Sequence, residues 1–274
     1  MFSVPISNNW ENSLGLPGCY TNMVISIASQ KGGTGKTTTA LTVAAGLGKS
    51  GSKVLLIDID PQCNTSRVFI HPNQETSVEK SWYTTILKFS PLSAIIQETR
   101  FNNLFFVPSH IRLSSVDLEL AQAFDNRSER LKKALARIKD QFDYILIDNP
   151  PSLGLLTINS FVASEKLIIP VSTGFFALTG LVQLQESIDM VKQTQLNPNL
   201  DVLGVLCTFS DQTNVSRDVE NQLREYFGDL VFKTVIPKNI SLEEAHSNHT
   251  HIFEYAPNSA GACAYKALTR EVVA

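Results

Sequence analysis

The 274-residue chain is 43% hydrophobic, enough to bury one sizeable α/β core, and no apolar run reaches transmembrane length. A net charge of −3 excludes a bulk electrostatic binder of nucleic acid, so any DNA contact needs a local basic patch. The four cysteines, Cys19, Cys63, Cys207 and Cys263, are scattered without a C-x-x-C pair and read as reduced thiols, not a disulfide frame or zinc site.

Residues 1–22 lack periodicity and carry Asn, Ser, Gly and Pro, which predicts a flexible extension ahead of a single domain over 23–274. The start has neither a basic n-region nor an apolar h-region, so a cytoplasmic location is expected. Val24–Ala28 then reads as a strand, Ser29–Gly35 as a glycine loop, and the stretch from Lys36 as a helix. That order is the context of a phosphate-binding loop. Its glycines let backbone N–H groups turn toward an anion, and the helix N-terminus adds unpaired donors. Phosphate contacts are assigned to Gly32, Gly33, Thr34, Gly35, Lys36, Thr37 and Thr38, with Lys36 reaching the β/γ-phosphates and the Thr37 hydroxyl on Mg²⁺. The strict G-x-x-x-x-G-K-[ST] pattern fails at Gln30, and a second lysine, Lys31, stands before the loop.

Lys53–Asp58 is a short apolar run ending in an acid, followed by Ile59-Asp60-Pro61-Gln62-Cys63-Asn64. Such a run predicts a buried parallel strand, with Asp58 and Asp60 at the ligand-binding edge, able to hold Mg²⁺ or orient an attacking water. Between His71 and Asp140 the pattern predicts helices over 78–89, 92–96, 113–124 and 127–140, and a strand over 104–108. The last of those helices sets Leu131, Leu135 and Ile138 on one face and a basic stripe, read as solvated, on the other.

Tyr144–Asp148 is a second apolar run ending in an acid, which places Asp148 to hold the Mg²⁺ shell. Further strands are expected over 166–171, 203–209 and 231–237, and helices over 177–195, 216–227 and 262–273. Phe175 and Phe176 read as core aromatics, and His246, His249 and His251 lack the partners of a metal set. Alternating strands and helices without hairpin signals predict an α/β fold, a doubly wound, mainly parallel sheet flanked by helices on both faces.

Lys31-Gly32-Gly33-Thr34-Gly35-Lys36-Thr37-Thr38 resembles the deviant Walker A motif of the ParA/MinD superfamily. Asp58 to Asn64 resembles its switch I motif, with Cys63 where a glycine is usual, and Asp148 to Asn159 matches its Walker B stretch. The resemblance is to ParA/Soj partition ATPases and runs from about Met23 to the C-terminus. It implies an ATPase using ATP and Mg²⁺, with Lys31, Lys36 and Asp60 catalytic. Lys31 would reach a partner protomer's ATP, and Asp60 would orient water. Thr37, Asp58 and Asp148 would hold the metal, while Pro237 and Asn239 of Ile236-Pro237-Lys238-Asn239 would line the adenine pocket.

The same resemblance implies a cycle. ATP binding forms a sandwich homodimer, the dimer binds nonspecific double-stranded nucleoid DNA, and a ParB-like or adaptor protein stimulates the hydrolysis that releases it. Plasmid, chromosome or other large cargo is thereby segregated. Arginines that contact DNA in Soj-like chains are replaced here by Gln212 and Ser241, which leaves Lys192, Arg217, Arg224, Lys233, Lys238 and Lys266 as candidate contacts. The alternatives are a MinD-like membrane-cycling ATPase, which needs a basic amphipathic C-terminal helix with an aromatic anchor, and an iron–sulfur carrier, which needs paired cysteines.

Overall fold

The computed structural model describes residues 22–70, 76–123, 125–174, 179–211 and 213–274. The expectations for the tail 1–21, for Phe124, for Phe175, Phe176 and the helix start at 177, and for Gln212 lie outside these residues.

In chain order the elements are β1 (Met23–Ile27), α1 (Lys36–Lys49), β2 (Val54–Asp58), α2 (Asn64–Phe69), α3 (Trp82–Lys88), β3 (Gln97–Glu98) and β4 (Leu104–Val107). Then come α4 (Val116–Ala121), α5 (Arg130–Leu135), β5 (Tyr144–Asp148), α6 (Leu155–Ala163), β6 (Lys166–Ser172), α7 (Thr179–Gln193) and β7 (Asp201–Thr208). The chain closes with α8 (Asn214–Phe227), α9 (Ile240–Ser247), α10 (Ile252–Tyr255) and α11 (Ala260–Val273).

The strands form one seven-stranded sheet in the order β3-β4-β2-β5-β1-β6-β7. Every pairing is parallel except β3 with β4. From β1 the chain moves outward to β2 and β4, returns to place β5 between β1 and β2, then grows the other way through β6 and β7. That reversal opens a crevice at the C-terminal ends of the central strands, where ligands of open α/β sheets bind.

Side-chain alternation along the strands splits the core into two layers. Ile25, Ile27, Leu56 and Leu146 pack on one face beneath α1, α9, α10 and α11. Val24, Leu55, Ile57, Ile145 and Ile147 pack on the other beneath α3 to α6, and Leu167, Ile169 and Val205 lie beneath α6, α7 and α8. The doubly wound, mainly parallel sheet is therefore as expected.

Several elements differ from expectation. The predicted 78–89 helix breaks at Ser81, whose hydroxyl turns back to the Val78 carbonyl at 2.7 Å; a 3₁₀ turn over Val78–Lys80 precedes α3. The predicted 92–96 helix is only a 3₁₀ turn over Leu92–Ala94, and the 113–124 helix divides into a 3₁₀ turn over Ile111–Ser115 and α4. Of the 127–140 helix only α5 is α-helical, although Leu131, Leu135 and Ile138 do face the core. Arg130 leaves the basic stripe. It is buried, donates to the Ile86 carbonyl and to Asp125 Oδ1 at 2.6 Å each, and stacks on Phe89. An antiparallel pair, β3 with β4, stands where no hairpin signal was read.

Residues 231–237 form no strand. Val231 and Pro237 make isolated bridges to Val205 and Ser210, Phe232 and Ile236 N–H still donate to β7, and only the middle leaves the sheet, where Lys233 and Thr234 N–H donate to Glu271. Pro237 has no N–H for a ladder, and Phe232 folds its ring over Gly204, where a Cβ would come within 2.5 Å of it.

Candidate functional site

The loop between β1 and α1 is shaped by Gly33 and Gly35, whose φ of 71° and 80° lie in the left-handed region. Gly35 caps α1, whose first turn closes through a 2.8 Å bond from Thr39 N–H to the Gly35 carbonyl. The preceding N–H groups of that turn have no intrahelical acceptor, which is the usual basis of anion binding at a helix start. At Gly32 and Gly33 an added Cβ would meet nothing within 4 Å, so the cradle is open above the backbone.

The two lysines of the loop occupy different environments. Lys36 is buried, and its Nζ donates to the Lys31 carbonyl at 3.1 Å. Burial lowers its pKa, opposed by the nearby carboxylates of Asp148 and Asp60. Lys31 is exposed at the head of the loop.

Three acids converge on this loop because their strands are neighbours in register. Asp58 at the end of β2 pairs with Asp148 at the end of β5, and Asp148 pairs with Ile27 of β1. Asp148 Oδ2 accepts from Thr37 Oγ1 at 2.9 Å and Thr65 Oγ1 at 2.7 Å. Its Oδ1 is buried and has no hydrogen-bond partner. Asp58 Oδ2 accepts from the N–H and hydroxyl of Ser66 at 2.9 and 2.7 Å, and its Oδ1 from the Asp60 N–H at 3.0 Å. Asp60, also buried, accepts from the Gln62 N–H at 2.9 Å.

Burial raises the pKa of both fully buried acids. For Asp58 the neighbouring charge of Asp148 adds to the shift; Asp148 is pushed up to about 6 although Thr65 and Thr37 donate to it. Two adjacent buried carboxylates and an orphaned carboxylate oxygen are the donor set of a hard divalent cation. The residues present fit Mg²⁺, with Thr37 and Asp148 nearest the loop and Asp58 beside them. Among the described residues no three His, Cys, Asp or Glu side chains form a closed metal-ligand cluster. Magnesium at phosphate sites typically keeps waters and takes only one or two carboxylates.

Serine and threonine hydroxyls that the sequence reading missed hold this arrangement together. Ser109, two residues past β4, donates its hydroxyl to the Asp60 carbonyl at 2.6 Å and its N–H to Ser66 Oγ at 2.9 Å. Thr208, the last residue of β7, donates to the Thr34 carbonyl at 2.9 Å. Thr65 and Ser66 directly follow the switch-like stretch and were findable by position; Ser109 and Thr208 carry no local signal. Cys63 adopts φ 56°, the left-handed conformation a glycine would take most easily, and its thiol donates to the Pro61 carbonyl at 3.3 Å.

Pro237 and Asn239 stand on the neighbouring rim. Their turn is tied to the end of β7 by Ser210 N–H to the Ile236 carbonyl at 3.0 Å and Lys238 N–H to the Ser210 carbonyl at 2.9 Å. Asn239 Oδ1 is buried without a hydrogen-bond partner. The histidines lie apart from the cleft's acids: His249 Nδ1 meets the Arg67 carbonyl, and the His251 ring packs at a tilt against Phe101. Of the basic candidates, Arg217 and Arg224 lie two turns apart on one exposed face of α8, and Lys233 and Lys238 are exposed on the segment after it.

A family model described as an AAA domain matches residues 22–202. Over 253 residues the chain is 44% identical to the sporulation initiation inhibitor protein Soj of Bacillus subtilis (strain 168), covering 92% of this chain and 98% of that one. It is 39% identical over 252 residues to the chromosome partitioning protein ParA of Myxococcus xanthus (strain DK1622), covering 91% and 87%. The chain belongs to the Soj/ParA family of partition ATPases. Among solved structures, cobyrinic acid a,c-diamide synthase from Mycobacterium smegmatis, with bound ATP analogue and magnesium, aligns with a TM-score of 0.76 at 32% identity, over 90% of this chain and 92% of that one. In this Soj/ParA chain the loop, the paired acids and the Pro237–Asn239 turn stand at one end of the sheet.

Proposed function

We propose that the chain is an ATP-dependent positioning ATPase whose Mg²⁺–ATP form is a homodimer that binds nonspecific double-stranded nucleoid DNA. A ParB-like or adaptor protein stimulates hydrolysis and so releases it, and large cargo is segregated by the cycle. One observation carries this reading: within a single phosphate loop Lys36 is buried beside the chain's own acids and Lys31 is exposed. The buried lysine serves the chain's own phosphates. In this reading the exposed one serves a second copy's.

In this reading the loop N–H groups and Lys36 hold the β- and γ-phosphates, and Asp60 orients the attacking water. The water oxygen bonds to the γ-phosphorus as the bond to the β-bridging oxygen breaks, leaving ADP and phosphate. Bound Mg²⁺ supplies charge neutralisation to the phosphate oxygens, held by Thr37, Asp148 and Asp58. Sizing with ATP–Mg²⁺ tests the lysine assignment. Wild type should elute as a dimer and Lys31→Ala as an ATP-bound monomer; a Lys31→Ala dimer would remove the assignment.

The membrane-cycling alternative loses support from the last helix. Tyr265, Leu268 and Val272 of α11 are buried against the core beneath α1, so that apolar face is already used. No described helix is long and apolar enough to cross a membrane.

A further inference from the structure

The helix that follows the switch-like stretch is too short to hold itself. α2 has six residues, and the Cys63 side chain gives its first turn no cap. The Ser66 N–H goes instead to Asp58 Oδ2 at 2.9 Å. The far end of α2 is pinned by two tertiary contacts. The Phe69 ring stacks on Phe106 with centroids 4.4 Å apart and meets Phe101 edge-on at 5.8 Å. The Arg67 carbonyl, among those a helix end leaves without an intrahelical donor, bonds to His249 Nδ1 at 2.7 Å. A carbonyl oxygen can only accept, so Nδ1 is the protonated nitrogen and donates.

His249 stands in the turn after α9, 182 residues beyond Arg67, and its φ of 54° lies in the left-handed region. Such outliers persist only where the surroundings impose them, and they gather at functional sites. Here the His249 N–H donates to the His246 carbonyl at 3.0 Å, and its own carbonyl accepts from Arg100 Nη2 at 2.9 Å. The ring is therefore held from its own side of the contact. On the other side, α2 carries Thr65, which donates to Asp148 Oδ2 at 2.7 Å, and Ser66, which donates twice to Asp58. The geometry points to His249 as a positioning residue for ATP hydrolysis. Through the Arg67 carbonyl it fixes α2, and so keeps Thr65 and Ser66 on the two acids assigned to Mg²⁺. This deepens the ATPase reading and rests on it. The competing role is structural, a bond that only fastens the 246–250 turn to the body of the protein.

Two measurements on His249→Gly separate these roles. The substitution removes the donor but also relieves the left-handed backbone, so the melting temperature should stay near wild type. In nucleotide-free protein, amide hydrogen exchange over residues 64–70 should quicken about fivefold or more, the scale of one lost hydrogen bond, while β1, β2 and β5 keep wild-type rates. The Mg²⁺ concentration giving half-maximal hydrolysis should rise about tenfold, the scale seen when a metal ligand loses an outer partner. KM for ATP at saturating Mg²⁺ should hold. His249→Asn, whose amide donates and whose backbone tolerates the left-handed region, should restore both readouts. Wild-type exchange over 64–70 would overturn the proposal, as would faster exchange with an unchanged Mg²⁺ requirement. Faster exchange spread over the whole sheet would assign the bond the structural role and overturn it too. If wild type itself hydrolyses no ATP at any Mg²⁺ concentration, the ATPase reading fails and takes the proposal with it.

Discussion

The Thr37 hydroxyl donates to Asp148 Oδ2 at 2.9 Å, joining the first turn of α1 to the end of β5 across 111 residues of chain. The bond locks the phosphate loop to the buried acid pair, and it occupies an oxygen of the group best placed to share a cation with that hydroxyl.

Replacing Asp148 with Asn follows from this pairing. In the absence of nucleotide and metal, the substitution removes one of two adjacent buried charges and should raise the melting temperature by a few degrees, for about 1 kcal/mol gained. The further stabilisation that wild type gains from ATP–Mg²⁺ by mass action should be lost. Thermal melts with and without ATP–Mg²⁺ check both signs. A lower apo melting temperature with full ligand stabilisation would contradict the assignment.

Lys36→Ala should abolish ATP binding, since no other described side chain is buried against the loop with a positive charge. Equilibrium binding of a fluorescent ATP analogue measures this. Unchanged affinity would remove the loop from the nucleotide site.

Ser109→Ala leaves the buried Asp60 carbonyl without its 2.6 Å donor, while the backbone N–H of residue 109 still donates to Ser66 Oγ. Asp60 should then lose its position, and kcat should fall about tenfold or more while KM stays near wild type, because small displacements of a catalytic group are costly. Ser109→Thr should restore most of the rate. A change in KM alone would mean that Ser109 supports binding, not the orientation of Asp60.

Burial lowers the pKa of His251 from 6.5 to about 4, and its Nδ1 has no partner. The unfolded chain therefore binds a proton between those values that the folded chain refuses. Stability from this group is complete above pH 6.5 and is lost as pH falls toward 4. Denaturant titrations of wild type and His251→Phe should show a shallower acid slope in the variant; parallel slopes would assign the loss to other groups.

The parallel strands were legible because strands buried on both faces read as unbroken apolar runs, and the acids were legible because Asp58 and Asp148 end two such runs. Apart from β4, found where a strand was expected, the stretch from 78 to 141 was not. Its α-helices are only six or seven residues long and held by tertiary contacts, such as buried Trp82 and the bond from Arg130 to the Ile86 carbonyl, and period alone cannot mark where such short helices break. Residues 231–237 have a strand's composition and stay joined to β7 at both ends, but the N–H groups of Lys233 and Thr234 in the middle donate to Glu271 of α11 instead of the sheet. The hydroxyl clamps escaped notice because a lone serine after a strand, as at 109, has no pattern. Only the fold brings it to Asp60.

The most direct test of the positioning cycle is binding of Asp60→Ala to random-sequence duplex DNA, with and without ATP–Mg²⁺, across a salt series. The variant should retain ATP, stay dimeric and bind DNA only with ATP, with affinity falling steeply as salt rises, as counterion release requires. No binding at low salt, or binding indifferent to ATP, would contradict the account and leave an ATPase whose track is not DNA.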